Sequence, residues 1–177
     1  MKDVELKLLI ELMKNSRRSD RELARVIGIS QPTVSRMIKK LEKEGYIREY
    51  TIIPDFSKLG FQMMTIFLAK LKARYPQESV EQTRAKVRQT YSQNPSPTLM
   101  AMNGLGVDAD RIIITLSKDY STYGDSIRHL RQHPLVDVEN VNSFLIDLSD
   151  CTHFLPFTLT NLAKNLDKSL KSQKSEA

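Results

Sequence analysis

The sequence nearly lacks cysteine, with Cys151 alone among 177 residues. One thiol excludes a disulfide framework within the chain and fits the reducing environment of a cytoplasm. No apolar run approaches the roughly 20 residues that a membrane-spanning helix needs. Charged residues interrupt the apolar ones near the N-terminus, so a secretory signal is not predicted either. The composition therefore predicts a soluble cytoplasmic protein without a membrane segment.

Positive charge is in excess, and it is unevenly distributed. The chain has 27 Lys and Arg against 21 Asp and Glu, a formal net charge of +6. Residues 1–60 carry 13 basic and 9 acidic side chains, and residues 153–177 carry 4 and 2, whereas residues 61–152 carry 10 of each. A basic N-terminal part favours a polyanionic partner, and the neutral middle is more typical of a dimerisation or sensor domain.

Three helices are predicted before Gly45. Apolar residues recur at helical spacing through the first of them. Ser19 and Glu22 form a capping box that opens a short second helix, which ends at Gly28. Ser30 is then placed to cap a third helix, whose first turn tolerates a proline because no hydrogen bond is lost there.

The segment after the third helix changes character. Residues 46–53 have the β-branched and aromatic composition of strands and are predicted to form a short β-ribbon. Three helices followed by such a ribbon, with a tight glycine turn before the third helix, are typical of a winged helix-turn-helix. The sequence therefore predicts this domain over residues 1–55.

The remainder predicts an α+β domain and a tail. Residues 56–62 are predicted to be a hinge, and residues 63–150 a ferredoxin-like domain with the element order βαββαβ. Residues 151–177 form an extension in which a further helix is expected, and this helix could add a dimer contact. The strands are predicted at residues 63–71, 99–102, 111–116 and 138–148, and the helices at residues 79–93 and 122–132.

The third helix is the segment most informative about function. Once Val34 and Leu41 face inward, amide, hydroxyl and cationic groups remain on the outward side near the helix N-terminus. Major-groove recognition uses this mixture, since amides and guanidinium groups reach base edges while hydroxyls and ammonium groups reach phosphates. The predicted DNA-binding residues are Gln31, Thr33, Ser35 and Arg36 at base edges or adjacent phosphates, Lys39 and Lys40 at the backbone, Arg48 at a flanking phosphate or the minor groove, and Ser30 at the start of the helix.

Two other interpretations of this helix stay open at this point. A run of charges at its C-terminal end is also what a solvated helix face looks like. Some winged helices bind a protein or a cofactor instead of DNA. The order of the surrounding elements favours DNA.

The N-terminal part resembles the Lrp/AsnC (feast/famine) regulators of prokaryotes, and the archaeal type in particular. The resemblance rests on Ile27–Arg36, on Leu41–Ile47 and on the wing and hinge tract Tyr50–Gly60, and it is strong from Asp3 to Leu71. It implies homodimers that can assemble further, bind pseudo-palindromic double-stranded DNA and regulate transcription. It also implies that the βαββαβ half dimerises and can bind an amino-acid-like effector.

The second half departs from this family in detail. The family has a compact Gly-x-x-Asp hairpin near its effector site, whereas residues 103–110 here predict a longer, turn-rich connection. The candidate effector-binding residues are Gly104, Gly106, Asp108 and Asp110. Ordinary turn chemistry explains the same residues, and a phosphate loop is excluded because the third glycine and the following lysine are missing.

Other functions have weaker support in the sequence. Cys151 with His153, and His129 with His133, do not reach the four placed ligands of a structural zinc, so neither a metal nor a cofactor is predicted. No nucleophile motif is present, and an enzyme is not expected. The alternatives are an Lrp-like enzyme of the siroheme decarboxylase type and an architectural DNA binder without an effector.

Overall fold

The computed structural model describes residues 1–71, 96–132, 136–150 and 157–175, together with Gln82, Ala85, Gln89 and Leu155. The chain divides into two compact units. The helical unit comprises Met1–Pro54 and His153–Ala177, and the sheet unit comprises Asp55–Thr152. None of the described helices combines the length and the apolar character needed to cross a bilayer.

Three helices open the helical unit: α1 (Asp3–Lys14), α2 (Asp20–Ile27) and α3 (Gln31–Lys43). The predicted capping box is present, because the backbone N–H of Ser19 donates to Glu22 Oε2 at 2.7 Å and the Ser19 hydroxyl accepts from the Glu22 amide at 3.3 Å. Gly28 ends α2 in the left-handed region, at φ 81°. Local signals therefore set the bounds of α2 as expected.

The three helices enclose one apolar core. Leu8 of α1, Leu23 of α2 and both Val34 and Leu41 of α3 are fully buried, and Ile47 packs against them from beyond α3. Leucines at helical spacing thus face one another across the bundle. The core fixes which side of α3 is left at the surface.

The predicted β-ribbon at residues 46–53 is wrong. Residues 47–55 form neither helix nor strand, and none of the described strands pairs with them. The chain instead leaves α3 through Gly45, after which the N–H groups of Tyr46 and Ile47 both donate to the carbonyl of Leu41. Strand composition records a preference for packed, pleated surfaces, but a ribbon also needs a neighbouring strand to accept its hydrogen bonds.

The sheet unit contains β1 (Met63–Leu71), β2 (Thr98–Gly106), β3 (Ala109–Ser117), α4 (Tyr120–Gln132) and β4 (Val136–Asp147). The sheet order is β2-β3-β1-β4 and every pairing is antiparallel. This order and the position of α4 confirm the predicted ferredoxin-like α+β fold. Of the helix predicted at residues 79–93, the structure describes only Gln82, Ala85 and Gln89, which are helical.

The core of the sheet unit lies between the sheet and α4. The rings of Phe67 and Tyr123 stack with centroids 6.1 Å apart, and the Tyr123 hydroxyl is 2.9 Å from the hydroxyl of Ser143 on β4. Ala69 and Val141 are buried beside them. Alternate residues of β1 therefore anchor one face of the sheet to the helix.

The other face of the sheet is apolar and uncovered by any described element. Phe144 is 66% exposed and Met102 is 56% exposed. The strand register places these residues on one side with other apolar residues, which are half-buried. The set, which we call the open sheet face, is Met64, Ile66, Leu68, Met100, Met102, Ile112, Ile114, Phe144 and Ile146.

The connection between β2 and β3 is shorter than predicted. A turn-rich segment was expected over residues 103–110, but Asn103 pairs with Arg111 and Gly106 pairs with Ala109. Only Val107 and Asp108 lie outside the strands, at φ 44° and 55°. The Gly and Asp residues of this segment indicated a loop. The two strands instead continue through most of it, because their residues pair with each other, and a two-residue turn joins them.

The C-terminal helix α5 (Thr160–Ser175) belongs to the helical unit. It packs along α1 of its own chain. Ala163 and Leu170 face inward and are buried. The extension therefore adds a fourth helix beside the predicted three.

Candidate nucleic-acid interface

The surface of α3 is set by what the helix buries. Val34 and Leu41 are fully enclosed and Met37 and Ile38 are partly enclosed, all on one side. The first turn of α3 contains no acidic residue, so the positive end of the helix dipole is not neutralised within the helix. A phosphate near this end would gain from both the dipole and the free amide groups.

Gln31 and Arg36 are the most open of the predicted base-contacting residues. Both are exposed. The Arg36 guanidinium makes only one contact with the described chain, in which Nε donates to the Pro32 carbonyl at 3.3 Å. Its planar donor groups are otherwise free to form the paired hydrogen bonds that guanine accepts.

The hydroxyls at the start of α3 bond to each other. Ser30 stands at the N-cap position, but its side chain makes no capping bond to the backbone. Its Oγ lies 2.8 Å from Oγ1 of the half-buried Thr33. Ser30 therefore occupies the predicted cap position without making the capping hydrogen bond. The two hydroxyls lie together at the surface beside the first turn of α3.

The side chain of Ser35 is already hydrogen-bonded within the fold. Its hydroxyl donates to the carboxylate of Asp20 in the first turn of α2. The bond links α2 to α3 across the turn between them. The structure thus gives Ser35 a role in holding the two helices together.

The side chain of Lys40 already forms ion pairs within the fold. Its Nζ lies 2.7 Å from Oε1 of Glu5, a buried side chain of α1, and 3.7 Å from Oε1 of Glu44. The hydrogen bond from Lys40 holds the pKa of Glu5 below its usual value, and the same bond raises the pKa of Lys40. Lys40 therefore neutralises a buried carboxylate, which sequence spacing could not reveal because the partners are 35 positions apart.

Several cations near α3 have no such partner. Lys39, Lys43 and Arg48 are exposed, and none of them forms an ion pair with a described residue. Arg21 of α2 has the same character, although it was not among the residues predicted to bind DNA. The position of Arg21 could have indicated a contact with DNA, because the helix before the recognition helix crosses the DNA backbone in helix-turn-helix complexes.

Tyr50 ties the segment after α3 back to the helix. Its hydroxyl donates to Glu42 Oε1 at 3.0 Å. Partial desolvation of the half-exposed ring, followed by the hydrogen bond to the Glu42 carboxylate, raises the pKa of Tyr50 to about 12. The tyrosine therefore stays neutral and keeps donating, which holds the segment carrying Arg48 close to α3.

The predicted effector residues lie at the β2–β3 hairpin. Gly104 and Gly106 stand in β2, Asp108 occupies the turn and Asp110 lies in β3. The Asp108 carboxylate is paired with Lys70 of β1. The structure thus brings these four residues together at one hairpin end.

The Cys and His residues considered as metal ligands lie mostly outside the described residues. Cys151, His133 and His153 lie outside the described residues, and His129 is in α4. Within the described ranges, no three His, Cys, Asp or Glu side chains are grouped as a metal site would require.

The fold and this surface define a class: a helix-turn-helix protein with a cationic third helix and a ferredoxin-like second unit. Residues 1–48 match a family model described as winged helix-turn-helix DNA-binding. The HTH-type transcriptional regulator PH0061 of Pyrococcus horikoshii is 45% identical over 69 residues, which are 39% of this chain and 46% of that protein. LrpC of Bacillus subtilis is 41% identical over 69 residues, 39% and 48% of the two chains. These matches span about half the length of the curated relatives.

Solved structures extend the likeness along most of the chain. The crystal structure of PH0061 superposes with a TM-score of 0.67 at 31% identity, covering 89% of this chain and 98% of that one. LrpC superposes with a TM-score of 0.65 at 25% identity, covering 86% and 99%. NMB0573 of Neisseria meningitidis, crystallised as an L-Met complex, shares the fold with a TM-score of 0.68 at 18% identity, covering 92% and 99%. The chain belongs to the Lrp/AsnC family of HTH-type transcriptional regulators.

Proposed function

We propose that this protein is a sequence-specific DNA-binding transcription regulator that acts as a homodimer or higher homo-oligomer in the cytoplasm. The observation that carries the proposal is the outward side of α3, where Gln31, Arg36, Lys39 and Lys43 are exposed and the last three form no ion pair with a described residue. Lys40 of the same helix is instead paired with Glu5 within the fold. The names of the relatives support a regulator over an enzyme.

The proposed contacts follow from which groups are free. Gln31 and Arg36 read base edges in the major groove, and the hydroxyls of Ser30 and Thr33 bind a phosphate near the first turn of α3. Lys39, Lys43, Arg48 and Arg21 bind the DNA backbone. Ser35 and Lys40 act indirectly in this proposal, by holding α3 against α2 and α1.

The open sheet face supports the homodimer. An exposed apolar surface made of strand residues is typical of protein–protein contacts, and stable interfaces bury about 1,200–2,000 Å² in total. A second copy presents the same face, so the contact is self-complementary. Two copies joined this way carry two α3 helices, which we expect to occupy half-sites about 34 Å apart.

An amino-acid-like effector is the finer part of the proposal. The hairpin that carries Gly104, Gly106, Asp108 and Asp110 is the proposed binding region, and the structurally similar NMB0573 was crystallised with L-Met. Calorimetry with the free amino acids tests this directly. Heat of binding that is lost in Asp110→Ala supports the site, and no binding by any amino acid removes it.

The test of DNA binding has two stages. Selection from random duplexes, followed by affinity measurement at two salt concentrations, determines whether a preferred sequence exists. Equal affinity for selected and scrambled duplexes would identify an architectural binder instead. No binding at low salt would contradict the proposal.

Arg36→Ala then tests the interface itself. If Arg36 reads a guanine, its removal costs about 1–3 kcal/mol of binding to the selected sequence and relaxes preference at that base pair. Arg128→Ala is the matched control, because it removes the same charge from an exposed position on α4. Equal losses in the two variants would show only a general charge effect.

A further inference from the structure

Helix α1 has two apolar sides, and only one of them faces the three-helix core. Leu8 lies in that core, whereas Ile10 is also buried, at 1% exposure, but does not belong to it. Helix α5 packs along α1 and contributes Ala163 and Leu170, at 0% and 3% exposure. The second side of α1 is therefore covered by the C-terminal helix.

Charged side chains of α1 and α5 lie beside this apolar contact. Lys171 Nζ lies 2.8 Å from Asp167 Oδ2. The charges of Lys14 and Lys7 on α1 act on the same carboxylate and, after the bond from Lys171, help to lower the pKa of Asp167. Val26 of α2 lines the groove beside them. The contact between α1 and α5 therefore combines buried apolar residues with charged groups at its side.

The docking of α5 has a topological consequence. The chain passes from the helical unit to the sheet unit at residues 54 and 55, and it returns at residues 152 and 153. The two units are therefore joined by two connections while α5 is docked, and by one when α5 is released. A second connection removes conformational freedom, because both chain segments must close at once.

We propose that α5 is a strap that restricts the positions of each helical unit and thereby makes the dimer select the distance between its two DNA half-sites. This inference rests on the proposed function. Two recognition helices on flexible connections tolerate many spacings, since either helix can move to find its half-site. Two helices held by straps bind tightly only where the half-sites match their separation.

The test compares spacings with α5 docked and released. Duplexes carry two copies of the selected half-site at the preferred distance, the same pair with ~5 base pairs inserted, which is half a helical turn, or one half-site alone. Leu170→Asp releases α5 by placing a charge at a buried position. Leu162→Asp is the matched control, because Leu162 is 50% exposed on the same helix.

The unmodified protein and Leu162→Asp are expected to lose about tenfold or more in affinity on the half-turn insertion. Leu170→Asp is expected to lose no more than about threefold and to keep its affinity for a single half-site. Equal losses in all three proteins overturn the strap. Weaker binding of Leu170→Asp to the single half-site also overturns it, since α5 would then serve the stability of the helical unit.

A second measurement does not depend on the folding of a variant. A site for a specific protease, inserted between Ser149 and Asp150, allows the return connection to be cut in the purified, folded protein. Cutting is expected to flatten the spacing dependence while single half-site binding is retained. An unchanged spacing dependence overturns the strap, whereas absence of DNA binding before the cut overturns the proposed function on which it rests.

Discussion

The helical unit and the sheet unit are specified in different ways. In the helical unit, neighbouring residues determine most of the structure: Ser19 and Glu22 begin α2, and Gly28 ends it in a left-handed conformation. In the sheet unit, β1 lies between β3 and β4, whose residues are tens of positions away. Local hydrogen bonds define a helix, but a strand acquires its bonds only from a distant partner. The two element predictions that proved wrong, the ribbon and the long β2–β3 connection, accordingly concern strands and turns.

The largest expected effect comes from truncating one core residue in each of the two units. Phe67→Ala removes the ring that stacks on Tyr123 and is expected to destabilise the sheet unit by about 3–5 kcal/mol. Leu41→Ala is expected to destabilise the helical unit by about 2–5 kcal/mol.

Hydrogen exchange resolved by segment checks this pair. Phe67→Ala should lower amide protection in β1 and β3 and leave protection in α2 unchanged, while Leu41→Ala should do the reverse. If either substitution lowered amide protection in both units, the units would unfold together. They could then not be treated as separately stabilised.

A helix cap tests how strongly local signals act. Ser19→Ala removes the hydroxyl that accepts from the Glu22 amide and is expected to cost about 1 kcal/mol of stability in the helical unit. Urea unfolding followed by helical circular dichroism measures the loss. Ser16→Ala, an exposed serine just before the cap, is the control and should change little. Equal stability of Ser19→Ala and the unmodified protein would show that tertiary packing alone holds α2.

The hairpin turn offers the opposite test, a local change that should stabilise the sheet unit. Val107 has φ 44°, a conformation that β-branched residues rarely adopt. Two-residue hairpin turns with positive φ at both positions favour Asn or Gly. Val107→Asn is expected to gain about 1 kcal/mol, seen as a higher Tm. Leu105→Asn, fully exposed in β2, controls for the loss of apolar surface, and a lower Tm for Val107→Asn would contradict the assigned turn.

The smallest expected effect is the pH dependence contributed by Glu5. The bond from Lys40 lowers the pKa of Glu5 in the folded state. Its stabilising contribution is therefore complete above the unfolded-state pKa of about 4.3 and is lost as pH falls through the lower folded value.

Acid unfolding of Glu5→Gln checks this assignment. The difference in stability between the unmodified protein and Glu5→Gln should be greatest near neutral pH and shrink below about pH 4. Glu49→Gln, at an exposed position, should follow the unmodified protein. A difference that stays constant across the acid range would show that Glu5 acts through packing alone.

Much of the candidate interface could be predicted from α3 itself. Burial of Val34 and Leu41 at helical spacing leaves Gln31, Arg36 and Lys39 outward, and the structure places them there. The pairing of Lys40 with Glu5 could not be predicted, because it depends on how α1 crosses α3. The bond between Ser35 and Asp20 depends in the same way on the packing of α2 against α3.

The sequence by itself determined the order of the three N-terminal helices, the four strands and α4, the limits of α2, the apolar side of α3 and the resemblance to the Lrp/AsnC regulators. These features depend on residues within a few positions of one another, where spacing and hydrogen bonding act directly. Tertiary structure alone decided that residues 46–53 form no ribbon, that β2 and β3 meet in a two-residue turn, that Lys40 serves Glu5 and that α5 lies on α1. Each of these outcomes depends on a partner distant in the chain. The contact contributes stabilising free energy only when folding brings the two segments together.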